Sequence, residues 1–176
     1  MTQYRTFDIY NSLIDREIGD MEVIALELTY DNMMDFMERY FEAYSTIAQD
    51  PKTTHKMRDF YSPDFQLTQY FPRHAVSDLE LFLEMSSSHP GIQETLRPEY
   101  IMVDDRQKKA AVYLRADFAI KATGEVVSEM TSAHYHLKLD EKGNIKIKDL
   151  ILFQAYPEPG KKGIVELYAE VFKSLK

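Results

Sequence analysis

Carboxylates, histidines and tyrosines set in strand-like runs are the side chains of this sequence best suited to chemistry. In the run Ile145-Lys146-Ile147-Lys148-Asp149-Leu150-Ile151-Leu152-Phe153, Lys146 and Lys148 must face water. Strict alternation then gathers Ile145, Ile147, Asp149, Ile151 and Phe153 on the other face, where Asp149 is a lone carboxylate among apolar neighbours. Burial there raises its pKa and suits it to general acid or base work. The competing arrangement is a bulge, or a rim position with Asp149 paired to Arg97, Arg115 or a backbone amide. In residues 129–139, Leu137 and Leu139 alternate with Lys138. Tyr135, Ala133, Thr131 and Glu129 therefore line the inner face, and His134 and His136 point outward. A bulge would reverse this parity and bring His134 inside.

His134 and His136, two apart on a strand, share a face and invite a metal reading. Zinc needs at least three protein ligands, whereas His55, His74 and His89 lie in the first half of the chain and no histidine follows His136. The pair is expected to be solvated or to lie at a dimer face, with no metal bound. His74, in Phe71-Pro72-Arg73-His74, precedes a helix; it either donates to a ligand or caps a loop. Tyr40 and Tyr44 fall on the apolar stripe of a helix, where they pack. Their buried hydroxyls still need partners, and several converging on one cavity would mark a ligand site.

The chain that must position these groups has 176 residues, enough for one domain. Lys and Arg number 21 against 29 Asp and Glu, a net charge of −8, which argues against nucleic acid or an anionic membrane as partner. Cysteine is absent, excluding disulfides and thiolate chemistry. Twelve Tyr and 10 Phe with no Trp supply ring surface that often ends in a hydroxyl. No apolar run approaches the roughly 18 residues of a membrane helix. Met1-Thr2-Gln3-Tyr4-Arg5 opens no signal-like stretch, so the expected location is the cytoplasm. Phosphate-binding glycine loops and the G-x-S-x-G nucleophile elbow are missing too.

Helical spacing comes first. Asp31 is expected to cap a helix carrying Met33, Phe36, Met37, Tyr40, Phe41, Tyr44, Ile47 and Ala48, stopped by Asp50-Pro51. A short helix with Met57, Phe60 and Tyr61 follows, then a strand over residues 65–70. Ser77-Asp78-Leu79-Glu80 reads as a capping box opening a third helix to about Met85. From Gly91 the period becomes two, with strands over 93–104, 109–121, 125–139 and 145–156 joined by turn-rich segments. Residues 23–29 read as a short strand. An amphipathic helix after Pro157-Glu158-Pro159-Gly160 closes the chain. The fold class is α+β: a curved antiparallel sheet forming a cone, closed by three N-terminal helices, plus a C-terminal helix. Residues 1–30 form an appendage, 31–156 the cone and 157–176 the final helix.

This order of elements resembles the nuclear transport factor 2-like superfamily, with its SnoaL-like cyclases, ketosteroid isomerase and scytalone dehydratase, over about residues 31–156. Phe41-Glu42-Ala43-Tyr44 and Leu67-Thr68-Gln69-Tyr70 are similar to the two stretches whose tyrosines hold a carbonyl-activating water in scytalone dehydratase. The resemblance gives Tyr44 and Tyr70 those roles. Thr95-Leu96-Arg97-Pro98-Glu99-Tyr100 sets Tyr100 where that enzyme has one histidine. Its second histidine falls at Asp117 or Phe118, and its asparagine at His134 in Ser132-Ala133-His134. Glu38-Arg39-Tyr40 is similar to the tyrosine stretch of ketosteroid isomerase, whose base falls near Gln69 and whose protonated aspartate falls near Tyr135.

The resemblance implies a cofactor-free dehydration, isomerisation or cyclisation of a small, partly apolar carbonyl compound through an enolate. Tyr44 and Tyr70, with Tyr100 or Tyr135, would stabilise the oxyanion, and Asp149, Asp117 or His134 would move the proton. Tyr40, Gln69, His74, Phe118, Glu129 and Phe153 complete the expected lining. Because the family's acid–base histidines are replaced, two non-catalytic readings stand beside this one. One is a ligand-binding or dimerisation module, a homodimer through the outer sheet face. The other is a protein-binding domain that docks through its C-terminal helix.

Overall fold

The computed structural model describes residues 27–70, 74–87, 91–154, 160, 162, 163 and 166. The appendage as far as residue 26, with most of the strand expected at 23–29, lies outside the described residues. So does the body of the C-terminal helix.

Helix α1 (Tyr30–Ala43) starts two residues earlier than a cap at Asp31 implies, because Thr29 is the cap. Thr29 Oγ1 accepts the Asn32 amide at 3.4 Å, and Asn32 Oδ1 accepts the Thr29 amide at 2.9 Å, a reciprocal box that satisfies two orphan donors. Met33, Phe36, Met37, Tyr40 and Phe41 are buried, the i, i+3, i+4 stripe of a helix lying on a sheet. The helix continues as a π turn over Tyr44–Ala48, which keeps Tyr44 and Ala48 buried. A 3-10 helix follows (Thr54–Phe60), and Tyr61, expected in this helix, instead opens strand β1 (Tyr61–Tyr70). After the short strand β2 (His74–Val76), Asp78 caps helix α2 (Leu79–Ser87); its Oδ1 accepts the Glu80 amide at 2.9 Å, a role the sequence pattern assigns to Ser77. Strands β3 (Ile92–Asp104), β4 (Lys109–Ile120), β5 (Val126–Leu139) and β6 (Ile145–Gln154) form the expected antiparallel meander.

The six strands make one curved, open sheet in the order β2-β1-β6-β5-β4-β3. β1 joins β6 in parallel, the only parallel pairing among the described residues. The helices cover the concave face, and the main core lies between Phe36, Tyr40 and Phe41 of α1 and Val112, Leu114, Ala133, Tyr135, Leu137 and Leu150 of the sheet.

Two bulges decide what the sheet presents. In β6 the register steps from Leu137↔Ile147 to His136↔Asp149, so Lys148 is an extra residue. Beyond it the alternation is inverted. Leu150, opposite Tyr135, and Leu152, opposite Ala133, face the core; Asp149, Ile151 and Phe153 face outward. The inward placement of Asp149 and Phe153 expected from strict alternation is thereby corrected. In β3 the register shifts between Pro98 and Tyr100, and beyond it Tyr100 and Met102 point outward, 69% and 62% exposed.

Candidate functional site

Polar side chains inside the cone come from α1, the π turn and three strands. Tyr40 and Tyr44, one turn apart, point at the sheet, where β1 supplies Tyr61 and β5 supplies Tyr135. The Tyr40 and Tyr61 hydroxyls are 2.9 Å apart, with their rings edge-on at 5.9 Å. The Tyr40 ring meets Tyr135 at 5.7 Å and Tyr44 at 6.1 Å. Burial raises all four phenols far above their usual range, so all stay protonated donors at any working pH.

Tyr44 donates to Glu94 Oε2 at 3.1 Å. Glu94 sits on β3, opposite Phe118 of β4, and is 9% exposed. Its backbone is clamped by the side chain of Gln49, the residue that ends the π turn: Gln49 Oε1 accepts the Glu94 amide at 2.7 Å, and Gln49 Nε2 donates to the Glu94 carbonyl. Among the described residues, that amide occupies an edge which no strand covers. Desolvation pushes the Glu94 carboxyl up to about 7, and the Tyr44 hydrogen bond acts in the opposite sense. A second carboxylate, Glu129 of β5, is 7% exposed and pairs with Ala116 of β4. One strand and an offset of two residues along it separate the two, which places their backbones about 12 Å apart.

The apolar interior divides in this region. The main core ends near Leu114 and Tyr135, and a smaller cluster of Ile92, Ala116, Phe118, Ile120 and Val127 lies beyond it, with Leu96 packed against both. Glu94 and Glu129 fall along the division. They form a polar belt inside an apolar cone.

Of the side chains expected at a site, the fold gathers Tyr40, Tyr44, Phe118, Glu129 and Tyr135 on the concave side. Gln69 belongs to the same side, in register with Leu152, and His74 pairs with Gln69 at the start of β2. The remaining candidates are on the outer face. Tyr70, adjacent to Gln69 on one strand, necessarily points the opposite way and stacks on Phe153 at 5.1 Å. His134 packs edge-on against Phe153 at 5.3 Å. Tyr100 lies on that face beyond its bulge. Asp117 belongs there by the parity of β4: partial burial pulls its pKa up, but Ser128 at 2.6 Å, Arg115 at 3.0 Å and Arg97 at 3.5 Å outweigh it and hold the carboxyl low. Asp149 pairs with His136 Nδ1 at 3.0 Å. These six candidates, Phe153 among them, are therefore separated from the tyrosine cluster by the thickness of the sheet.

Glu94 is missing from the sequence-derived candidates, although its signal is present. In Ile92-Gln93-Glu94-Thr95-Leu96 a single carboxylate shares its parity with two apolar residues, the same signature that singled out Asp149. Among the described residues no three His, Asp or Glu side chains converge as metal ligands, and no helix is long and apolar enough to cross a membrane.

The helix-covered, open and mostly antiparallel sheet is a cystatin-like α+β fold, the fold that the resemblance to the nuclear transport factor 2-like superfamily implies. Solved structures with this fold include the epoxide hydrolase/cyclase-like enzyme SalBIII of pyran-ring formation in the polyether salinomycin, 14% identical with TM-score 0.58, covering 73% of this chain and 94% of that one. A ketosteroid isomerase-like protein from Erwinia carotovora atroseptica SCRI1043 is 15% identical with TM-score 0.52, over 79% of this chain and 100% of that one. A SnoaL-like polyketide cyclase candidate from Jannaschia sp. CCS1 is 16% identical with TM-score 0.53, over 69% and 83%. Neither a protein-family model nor a curated sequence matches the chain.

Proposed function

We propose that the chain binds a small, partly apolar carbonyl compound inside the cone and moves a proton on it without a cofactor, with Glu94 as acid–base group and Tyr44 as oxyanion donor. The observation that carries this reading is the Tyr44–Glu94 contact at 3.1 Å, with Glu94 raised to about 7. Near neutral pH such a carboxyl is divided between its two forms, the state that serves both proton removal and proton return. Ionised Glu94 takes the proton from the carbon beside the carbonyl, and the electron pair moves to the carbonyl oxygen. Once Glu94 is protonated, the Tyr44 hydroxyl turns its hydrogen bond from the carboxyl to the enolate oxygen, keeping its own proton. Protonated Glu94 then returns its proton, to a different carbon in an isomerisation or to a departing hydroxyl in a dehydration. The likeness to cyclase-like and isomerase-like structures supports this reaction class; it does not choose among isomerisation, dehydration and cyclisation. Steady-state kinetics with a panel of enolisable ketones test the reading. Glu94→Gln should lower kcat about 10²–10⁴-fold with a smaller change in KM; undiminished turnover would refute the role.

A second reading has its own support, a dimerisation surface on the outer face. Tyr70, Phe153, Ser132, Tyr113 and Tyr100 occupy one cross-strand row over five strands. The four aromatic members are each at least 40% exposed, and a contiguous apolar band of this kind is the usual mark of an interface. Homodimerisation through this row predicts twice the chain mass by light scattering, falling to the chain mass in Tyr113→Arg/Phe153→Arg. A wild-type monomer at high micromolar concentration would refute it.

A further inference from the structure

The bulge that turns Asp149 away from the core delivers it to a hollow on the outer face, where polar and aliphatic side chains meet. Two adjacent cross-strand rows build the hollow. One runs Gln66, Asp149, His136, Lys109; the other runs Thr68, Ile151, His134, Ala111. The space they enclose, about 420 Å³, is lined by Gln66, Thr68, Lys109, His134, His136 and Asp149 among others. We propose that this hollow binds the oxyanion group, carboxylate or phosphate, of a small molecule, held by Lys109 and His136.

Three observations converge on this assignment. First, the carboxylate in the lining is already engaged: Asp149 Oδ2 lies 3.0 Å from His136 Nδ1. When His136 carries both ring protons, Asp149 holds the one on Nδ1 and the N–H at Nε2 is left as a donor for an oxyanion; Asp149 is a positioning residue. Second, the remaining polar side chains are donors or can donate: the Lys109 ammonium, the Gln66 amide, the Thr68 hydroxyl and the His134 ring. Asp104, across from Lys109 in the same row, is turned into its own loop, where it accepts the Gln107 amide at 3.0 Å. A cluster of donors in a chain of net charge −8 is a local arrangement and no by-product of overall charge. Third, the geometry depends on Lys148 being bulged, because in regular pairing Lys148 would stand opposite His136 and Asp149 would point into the core. Bulges that re-aim one side chain occur preferentially beside functional sites. This assignment is independent of the carbonyl chemistry inside the cone.

Inorganic phosphate and acetate, titrated separately into the full ¹⁵N-labelled chain, test it through the side-chain nitrogens of His136 and His134. A saturable shift is expected with at least one of the two anions in the millimolar range, and which anion saturates first distinguishes the ligand sources. Lys109→Met and His136→Gln should each weaken it about tenfold, and Asp149→Asn by a similar factor. Val126→Ser, 54% exposed on the same face but far outside the hollow, should leave it unchanged. No saturable shift with either anion, or equal weakening by Val126→Ser, would overturn the assignment. A shift that follows chain concentration rather than anion concentration would also overturn it, and would assign the hollow to a second copy of the chain.

Discussion

Replacing Glu94 by Gln tests the electrostatic argument through stability alone, with no substrate needed. Desolvation moves the carboxyl from 4.5 to about 7 on folding. Below the lower value it is protonated in both folded and unfolded chains, and its burial carries no charge penalty. Between the two values the folded chain keeps a proton that the unfolded chain has lost, so stability falls as pH rises. Above the upper value both states are ionised, and the penalty levels off at about 3 kcal/mol, taking about 1.4 kcal/mol per pKa unit. Glutamine stays neutral throughout and can still accept from Tyr44. The variant should match the wild type near pH 4 and exceed it by about 3 kcal/mol near pH 8, roughly 6–12 °C in Tm for a chain of this size. Asp64, Asp117 and Asp140, whose pKa values are all lowered, titrate below this window and are common to both proteins. Urea unfolding across the range supplies the difference. A gap that stays constant with pH, or that grows in favour of the wild type as pH rises, would refute the buried-carboxyl argument.

Two further substitutions examine the neighbouring structure. Tyr44→Phe removes the donor that restrains Glu94, so the Glu94 carboxyl carbon should titrate at a higher pH by ¹³C NMR than in the wild type; an unchanged or lower midpoint would contradict the contact. Leu150→Ala should cost about 2–5 kcal/mol, as core truncations do, while Asp149→Ala should cost less than about 1 kcal/mol. Chemical denaturation of both gives the order, and a reversed order would place the β6 bulge elsewhere.

The first long helix and the four strands of the meander are legible because each carries an apolar repeat that only one secondary structure can bury. The same period places Tyr135, Glu129 and Phe118 on the concave side. It also marks Glu94, whose parity with Ile92 and Leu96 is as plain as that of any residue on β3. Asp149 and Phe153 fail for a specific reason. A bulge is one added backbone residue rather than a residue type, and one insertion inverts every side chain beyond it. Tyr70 fails alongside Gln69 because neighbours on a strand cannot share a face.

What the sequence by itself determined is the set of elements, the acidic and cysteine-free chemistry, and most of the aromatic residues that meet inside the cone. All of these follow from side-chain type and spacing along the chain. The tertiary structure alone decided that β1 lies parallel to β6, that Gln49 closes the β3 edge beneath Glu94, and that Asp149 belongs to His136 on the outer face. Those outcomes depend on register between segments distant in sequence. A shift of one residue in that register separates a carboxyl raised by burial from one held at the surface by a histidine.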